Sequence, residues 1–281
     1  MFRLTIRPMK NVLADSTSAV ARSMASVIVV VGLSVGSPLY ASDAALVEPL
    51  TSPDGHKFWY YSMPDADRTA LAVTWEQEVP VKSVHPLTAR LGIDVMLNGG
   101  AGGRDAADIV ADYQDLDAGS GLWVQPQEVS GFIFAPNEHL STAREIAAAV
   151  ITEPAMEQKW LDREKQNLVE GAREDAAGSW GIGWNVVREL ILGDHPYNNF
   201  WSMRPLDKIE SVTLEDVTHW FETSFSKKTA SIAVAGSAAA DVVARELDLL
   251  FKDLPNHGNS DPVEFAQPVV QGGTVVFHKP D

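Results

Sequence analysis

The chain has 281 residues, of which 45% are apolar, with a formal net charge of −16 and no cysteine. That length is enough to bury a core in one large domain or two small ones, and the missing thiols exclude disulfides, thiolate catalysis and cysteine–zinc sites. Residues 1–41 carry Arg3, Arg7, Lys10 and Arg22 against Asp15, a net of +3, so the rest holds −19; a body that acidic, with no aromatic-interleaved basic patch, excludes nucleic acid as a partner.

In chain order, the first feature is an export signal. A basic stretch precedes the apolar run "MASVIVVVGLSVGSPLYA", and "LYA" before Ser42 makes a small-residue cleavage site. Met9 and Met24 are alternative starts. The run is short for a membrane span and holds Pro38 near its end, so a stable span is not expected and export, to the periplasm, is; an uncleaved anchor is the alternative. Next, "KFWYYSM" and "TALAVTWEQ" read as two strands separated by the turn-like "PDADR", with Leu71, Val73 and Trp75 alternating. A helix over Leu87–Leu97 runs into "NGGAGGRD", followed by a second helix with Ile109, Val110 and Tyr113 on its apolar side. "GLWVQPQEVSGFIFA" supplies two strands around Pro126. "LSTAREIAAAVITEP" is an amphipathic helix stopped by Pro154. Further helices cover Met156–Ala176, "NVVRELILG" and "SVTLEDVTHWFETSF"; the last opens with Thr213 and Asp216 at capping-box spacing. "ASIAVAG" is a strand turning at Gly236, "DVVARELDLLFKDL" the last helix, "NHGNSDP" a linker and "TVVFHKPD" the beginning of another strand. Strands interleaved with helices, some of them in hairpins, predict an α+β layered domain over residues 42–255 with a tail at 256–281.

Histidine spacing bears on metal chemistry. His56, His85, His139, His195, His219, His257 and His278 are all at least 21 residues apart. No helix can therefore present two imidazoles at i and i+4, the arrangement of both common helical zinc motifs. The "NGGAGGRD" loop lacks the Gly-Lys-Ser/Thr ending of a phosphate cradle and follows a helix, so it reads as a tight helix-to-helix connection. "GLSVG" matches a nucleophile elbow at Ser34 but lies inside the export signal, a chance match. Trp123, Trp180 and Trp184 could line a groove, with core packing as the default for tryptophan.

The order and spacing of several segments resemble the insulinase/pitrilysin metallopeptidases, the inverted zincins. The segments are the opening strand after Asp54-Gly55, "GGRDAADIVADYQDLDAGSG", "ITEPAMEQKWLDREKQNLVEGARED", "LGDHPYNNFWSMRPLDKIESVTLEDVTHWFETSF" and "ASIAVAGSAAADVVARELDLLFKDLP". The resemblance covers nearly all of the mature chain and implies a mostly antiparallel sheet packed against helices. In such proteins a helix carries H-x-x-E-H, two zinc ligands and a general base, and a glutamate about 75 residues later completes the ligand set. Placed on "RLGIDVML", that pattern puts Leu91 and Val95 at the histidine positions and Asp94 at the base; Glu170, 75 residues after Val95, falls at the one retained ligand position. Hydrocarbon side chains donate no lone pair, whereas a full ligand set draws about 10–16 kcal/mol from zinc. Leu87, Leu91 and Val95, at i, i+4 and i+8, form an apolar stripe instead.

The resemblance also implies two homologous halves, and Asp281 falls about where the second would start. The expectation is thus a non-catalytic pseudopeptidase with no cofactor, an N-terminal-type half that partners an active peptidase subunit of the same family and helps hold peptide substrate. The alternatives are a zinc-dependent endopeptidase with an atypical site and a truncated inactive remnant.

Overall fold

Alternation of apolar residues with a period of two builds the sheet. The computed structural model describes residues 2–6, 47–77, 86–125, 128–193, 198, 206–256 and 273–277. The two strands read from "KFWYYSM" and "TALAVTWEQ" are β3 (Lys57–Ser62) and β4 (Arg68–Glu76). Those around Pro126 are β5 (Gly119–Gln125) and β6 (Glu128–Pro136), and "ASIAVAG" is β7 (Ala230–Gly236). Two strands were not foreseen: β1 (Phe2–Ile6), inside the stretch read as an export signal, and β2 (Val47–Thr51), a largely exposed strand with Pro49 at its centre, which carries no alternating apolar signal. A separate two-stranded sheet joins β1 (Phe2–Ile6) to β8 (Gly273–Phe277), the strand expected from "TVVF". The rest of the stretch read as an export signal, with Ser34, and most of the 256–281 tail lie outside the described residues.

The main sheet runs β2-β3-β7-β4-β6-β5, and among the described residues only the β3–β7 pairing is parallel. It is therefore mostly antiparallel. The strands β3 and β4, consecutive in sequence, are not neighbours: β7 lies between them. Its Ile232 is in register with Phe58 and Val73, and its Val234 with Tyr60 and Leu71, so three strands present one continuous apolar face. A strand arriving some ninety residues after β6 is a non-local pairing that no local pattern encodes.

The helices are α1 (Pro86–Gly99), α2 (Ala106–Asp115), α3 (Leu140–Thr152), α4 (Gln158–Ala177), α5 (Ser179–Leu192), α6 (Leu206–Ser211), α7 (Leu214–Ser224) and α8 (Ala240–Phe251). Of these, α1, α2, α3, α7 and α8 put buried side chains into the core on the sheet face. The short α6 was not foreseen, and α5 begins at Ser179, ahead of the apolar run that starts at Asn185. At α7 the capping box is formed: Thr213 Oγ1 accepts from the Asp216 amide at 3.1 Å, and Asp216 Oδ2 accepts from the Thr213 amide at 2.8 Å. Among the described residues no helix is long and apolar enough to cross a membrane.

Among the described residues there are two apolar clusters, and α1 belongs to both. Ile93 and Met96 join the sheet-facing core, while Leu87, Leu91 and Val95 join a second cluster built with α4, α6 and α7. A helix apolar on two sides is a buried one. Gly92 lets it come close to α7: a Cβ there would lie 2.2 Å from the Trp220 ring, which is itself buried. Gly92→Ala should therefore cost about 1–3 kcal/mol or more through overpacking, measurable as a lowered urea midpoint with an unchanged slope.

Candidate functional site

The helix α1 is where a helical metal motif would sit, and its geometry fixes what each side chain meets. Leu91 and Val95 have no exposed surface, and Leu87 has 2%. Their partners are Leu161 and Leu168 of α4, Ile209 of α6, Val217 of α7 and Val212 in the connection before α7. Both residues at the predicted ligand positions thus lie against hydrocarbon.

Asp94 points out of this cluster and keeps partial access to solvent. Burial pushes its carboxyl up to about 6; Glu164 adds to the rise, and the Arg90 cation opposes it. Glu164 is the residue that sequence reasoning missed. It lies on α4 between Leu161 and Leu168, at i+3 on their shared face, and is 5% exposed. Its Oε2 accepts from Asn167 at 2.9 Å, and its Oε1 lies 3.6 Å from Arg163 Nε. The available signal was a carboxylate inside an i, i+3, i+7 stripe of leucines.

Glu170 is elsewhere. It is exposed, and its Oε1 accepts from Gln166 at 3.3 Å. At about 100° per residue it is turned roughly 200° from Leu168, away from the packed face. The linear spacing of 75 puts it on α4, and the helical phase turns it away from the face that meets α1. The carboxylate that α4 buries in the packed face is Glu164.

The remaining candidates separate in space. The described histidines lie apart: His56 between β2 and β3, His139 at the start of α3, and His219 on α7. Among the described residues no three His, Asp or Glu side chains gather as a metal-binding group. The glycine loop is a tight connection, as read. Gly102 and Gly103 have φ of 58° and 75°, values that a side chain tolerates poorly. Its amides bond within the chain: Ala101 to the Arg104 carbonyl, Arg104 to the Ala101 carbonyl, Gly102 to the Glu153 carbonyl. The loop thus ties the end of α1 to the approach to α4 instead of offering donors to phosphate.

The tryptophans depart from their core default. Trp180 and Trp184 are 78% and 49% exposed and meet edge to face at 5.7 Å; α5 packs beside α4 and buries no side chain fully. Trp123 stands on β5, half-buried, 6.0 Å from Phe132. Among the described residues the strand β5 is an edge, pairing with β6 on one side only. Beside it a groove of about 380 Å³ opens between sheet and helices, lined among others by Met96, Leu97, Val110, Tyr113 and Leu122. An extended edge next to an apolar groove can take a further strand and seat its alternate side chains.

No protein-family model and no curated protein sequence matches the chain. Solved structures do. The inactive domain of a peptidase M16 from Pseudomonas fluorescens aligns with TM-score 0.68 at 16% identity, covering 79% of this chain and 54% of that one. A protease from Helicobacter pylori aligns with TM-score 0.65 at 14% identity, covering 79% and 54%. Pitrilysin aligns with TM-score 0.62 at 16% identity, covering 80% and 26%. The chain spans about half the length of the first two and about a quarter of the third.

Two measurements test the site. Leu91→Asp should destabilise the fold by about 4 kcal/mol or more, because a carboxylate would enter a cluster with no partner for it; a melt close to wild type would contradict its burial. For Asp94 the folded-state pKa is raised, so the fold binds that proton more tightly than the unfolded chain does. Stability should then fall as pH rises from about 4 to about 6 and level off above. Asp94→Asn should flatten that slope and stabilise the protein at pH 7 by about 1–2 kcal/mol, discounted for partial exposure. Denaturant melts across this range give the comparison. By its sheet order, its helix layer and these structural matches, the chain has the fold of the insulinase/pitrilysin peptidases.

Proposed function

We propose that this chain is a non-catalytic insulinase/pitrilysin-family protein, a pseudopeptidase that pairs with an active zinc peptidase and holds peptide substrate. The observation that carries the reading is the complete burial of Leu91 and Val95 in the cluster with α4 and α7. A zinc ion on that face would need two donors where there is only hydrocarbon, and displacing the packing would expose the cluster. Water without a metal keeps a pKa near its bulk value of about 15.7 rather than about 7. Asp94 therefore has no activated nucleophile to deprotonate, and no cofactor is expected. The solved inactive peptidase domain supports the reading as a precedent for this fold without activity.

The β5 edge and its groove support the substrate-holding half. A peptide laid along β5 would extend the sheet through main-chain hydrogen bonds and seat an apolar side chain over Met96 and Tyr113. Export to the periplasm, proposed from the N-terminal run, would put both proteins in one compartment.

Affinity purification of the tagged chain from its native cells tests the pairing: a zinc peptidase should co-elute, and a chain that runs alone would sink it. For the substrate-holding half, Val110→Glu places a charge at the exposed rim of the groove. It should weaken binding of an extended apolar peptide at least about tenfold without moving the melting temperature. Glu170→Ala should leave the activity of any complex unchanged.

A further inference from the structure

The strand β5 has a second side-chain face, opposite that of Leu122, which lines the groove. On it Gly119, Gly121 and Trp123 stand in register with Phe134, Phe132 and Ser130 of β6. The next strand inward, β4, sets Ala70 and Ala72 beside the two phenylalanines. Phe132, Phe134 and Trp123 are half-buried and belong to neither apolar cluster. The two phenylalanine rings stack with centroids 6.0 Å apart and planes at 13°, and Trp123 lies 6.0 Å from Phe132. Both rings lean outward across β5. A Cβ on Gly121 would lie 2.6 Å from the Phe132 ring, and one on Gly119 would lie 2.7 Å from the Phe134 ring. Two glycines at alternate positions thus let an aromatic pair reach the rim of the sheet.

Hydrogen-bond register fixes where a further strand would put its side chains. Gln125 and Glu128 form the last pair before a two-residue connection, so they are a hydrogen-bonded pair. Pair types alternate along an antiparallel ladder, which makes Trp123–Ser130, Gly121–Phe132 and Gly119–Phe134 hydrogen-bonded as well. Ser120, Leu122 and Val124 therefore direct their N–H and C=O groups to the outer edge, and among the described residues no strand or loop takes them up. A peptide strand paired there antiparallel has one residue opposite Leu122, with its side chain over the groove. The adjacent residue, opposite Gly121, forms the closer, non-hydrogen-bonded type of pair and turns its side chain to the phenylalanine face. We propose that this face selects an aromatic side chain at that position of the peptide, laid against Phe132 and Phe134 in the space the glycines leave. Glycine has no side chain for a cross-strand neighbour to meet, so contact there comes from the rings that lean over it. A small side chain would leave those rings bare. The inference rests on the peptide-holding reading above and adds a substrate class to it: extended peptides with an aromatic residue next to the apolar residue seated in the groove.

The test uses two fluorescent octapeptides, threonine-rich with a single leucine, that differ only in having phenylalanine or alanine directly after the leucine. The phenylalanine peptide should bind the wild-type chain about fivefold more tightly. Phe132→Leu removes the nearer ring and should abolish the preference. Gly121→Val fills the space with a residue suited to a strand and should abolish it too, so the outcome does not hang on the folding of one variant. Trp59→Ala, on the same face of the sheet but on β3, should preserve it. Val110→Glu, at the rim of the groove, should weaken both peptides and leave their ratio unchanged. Equal affinity for the two peptides on wild type, or a preference that survives in either Phe132→Leu or Gly121→Val, overturns the inference and leaves the β5 reading standing. Binding of neither peptide by the wild-type chain sinks both.

Discussion

The contact on which the structure depends is hydrocarbon against hydrocarbon along one side of α1. Leu87, Leu91 and Val95 recur every four residues and meet Leu161 and Leu168 of α4 and Val217 of α7. Each fully buried side chain of this size contributes about 1.5–3 kcal/mol. The opposite side of α1 sends Ile93 and Met96 into the sheet-facing core, so one helix locks two helical layers to the sheet. Gly92, with its space filled by Trp220, brings the third helix in to the backbone itself. A face committed in this way has no room for a metal and gains nothing from one. The side chains that complete this packing are hydrocarbon and have no lone pair to offer a metal.

That commitment explains the strain beside it. Asp94 and Glu164 are acidic residues next to an apolar cluster, and burial raises the carboxyl of Asp94 to about 6. Burial of a charge is unfavourable unless hydrogen bonds and counter-charges offset it. Asn167, Arg163 and Arg90 offset part of it here. The two carboxylates thus form a polar margin on an otherwise apolar cluster.

Most elements were legible because their signals are local. Leu71, Val73 and Trp75 alternate within a single strand, Thr213 and Asp216 form their cap across three residues, and the stripe on α1 repeats every turn. What was not legible is what depends on distant parts of the chain. The insertion of β7 between β3 and β4 needs a partner face assembled from two strands far upstream. The strand β2 has no alternation to announce it and exists through its pairing with β3. At the candidate site, linear spacing picked out Glu170 although helical phase turns it to solvent, and Glu164 passed unnoticed because a carboxylate among leucines reads as exposed. Trp180 and Trp184 violated a general preference: among the described residues α5 packs beside α4 and leaves both indoles exposed.

The chemistry of the whole account reduces to whether α1 can bind a divalent cation. Calorimetric titration of zinc into the isolated chain, with metal analysis after dialysis, asks this directly. No stoichiometric binding and no chelator-sensitive peptide hydrolysis are expected. One tightly held zinc per chain, together with hydrolysis lost on chelation and restored by the metal, would contradict this expectation.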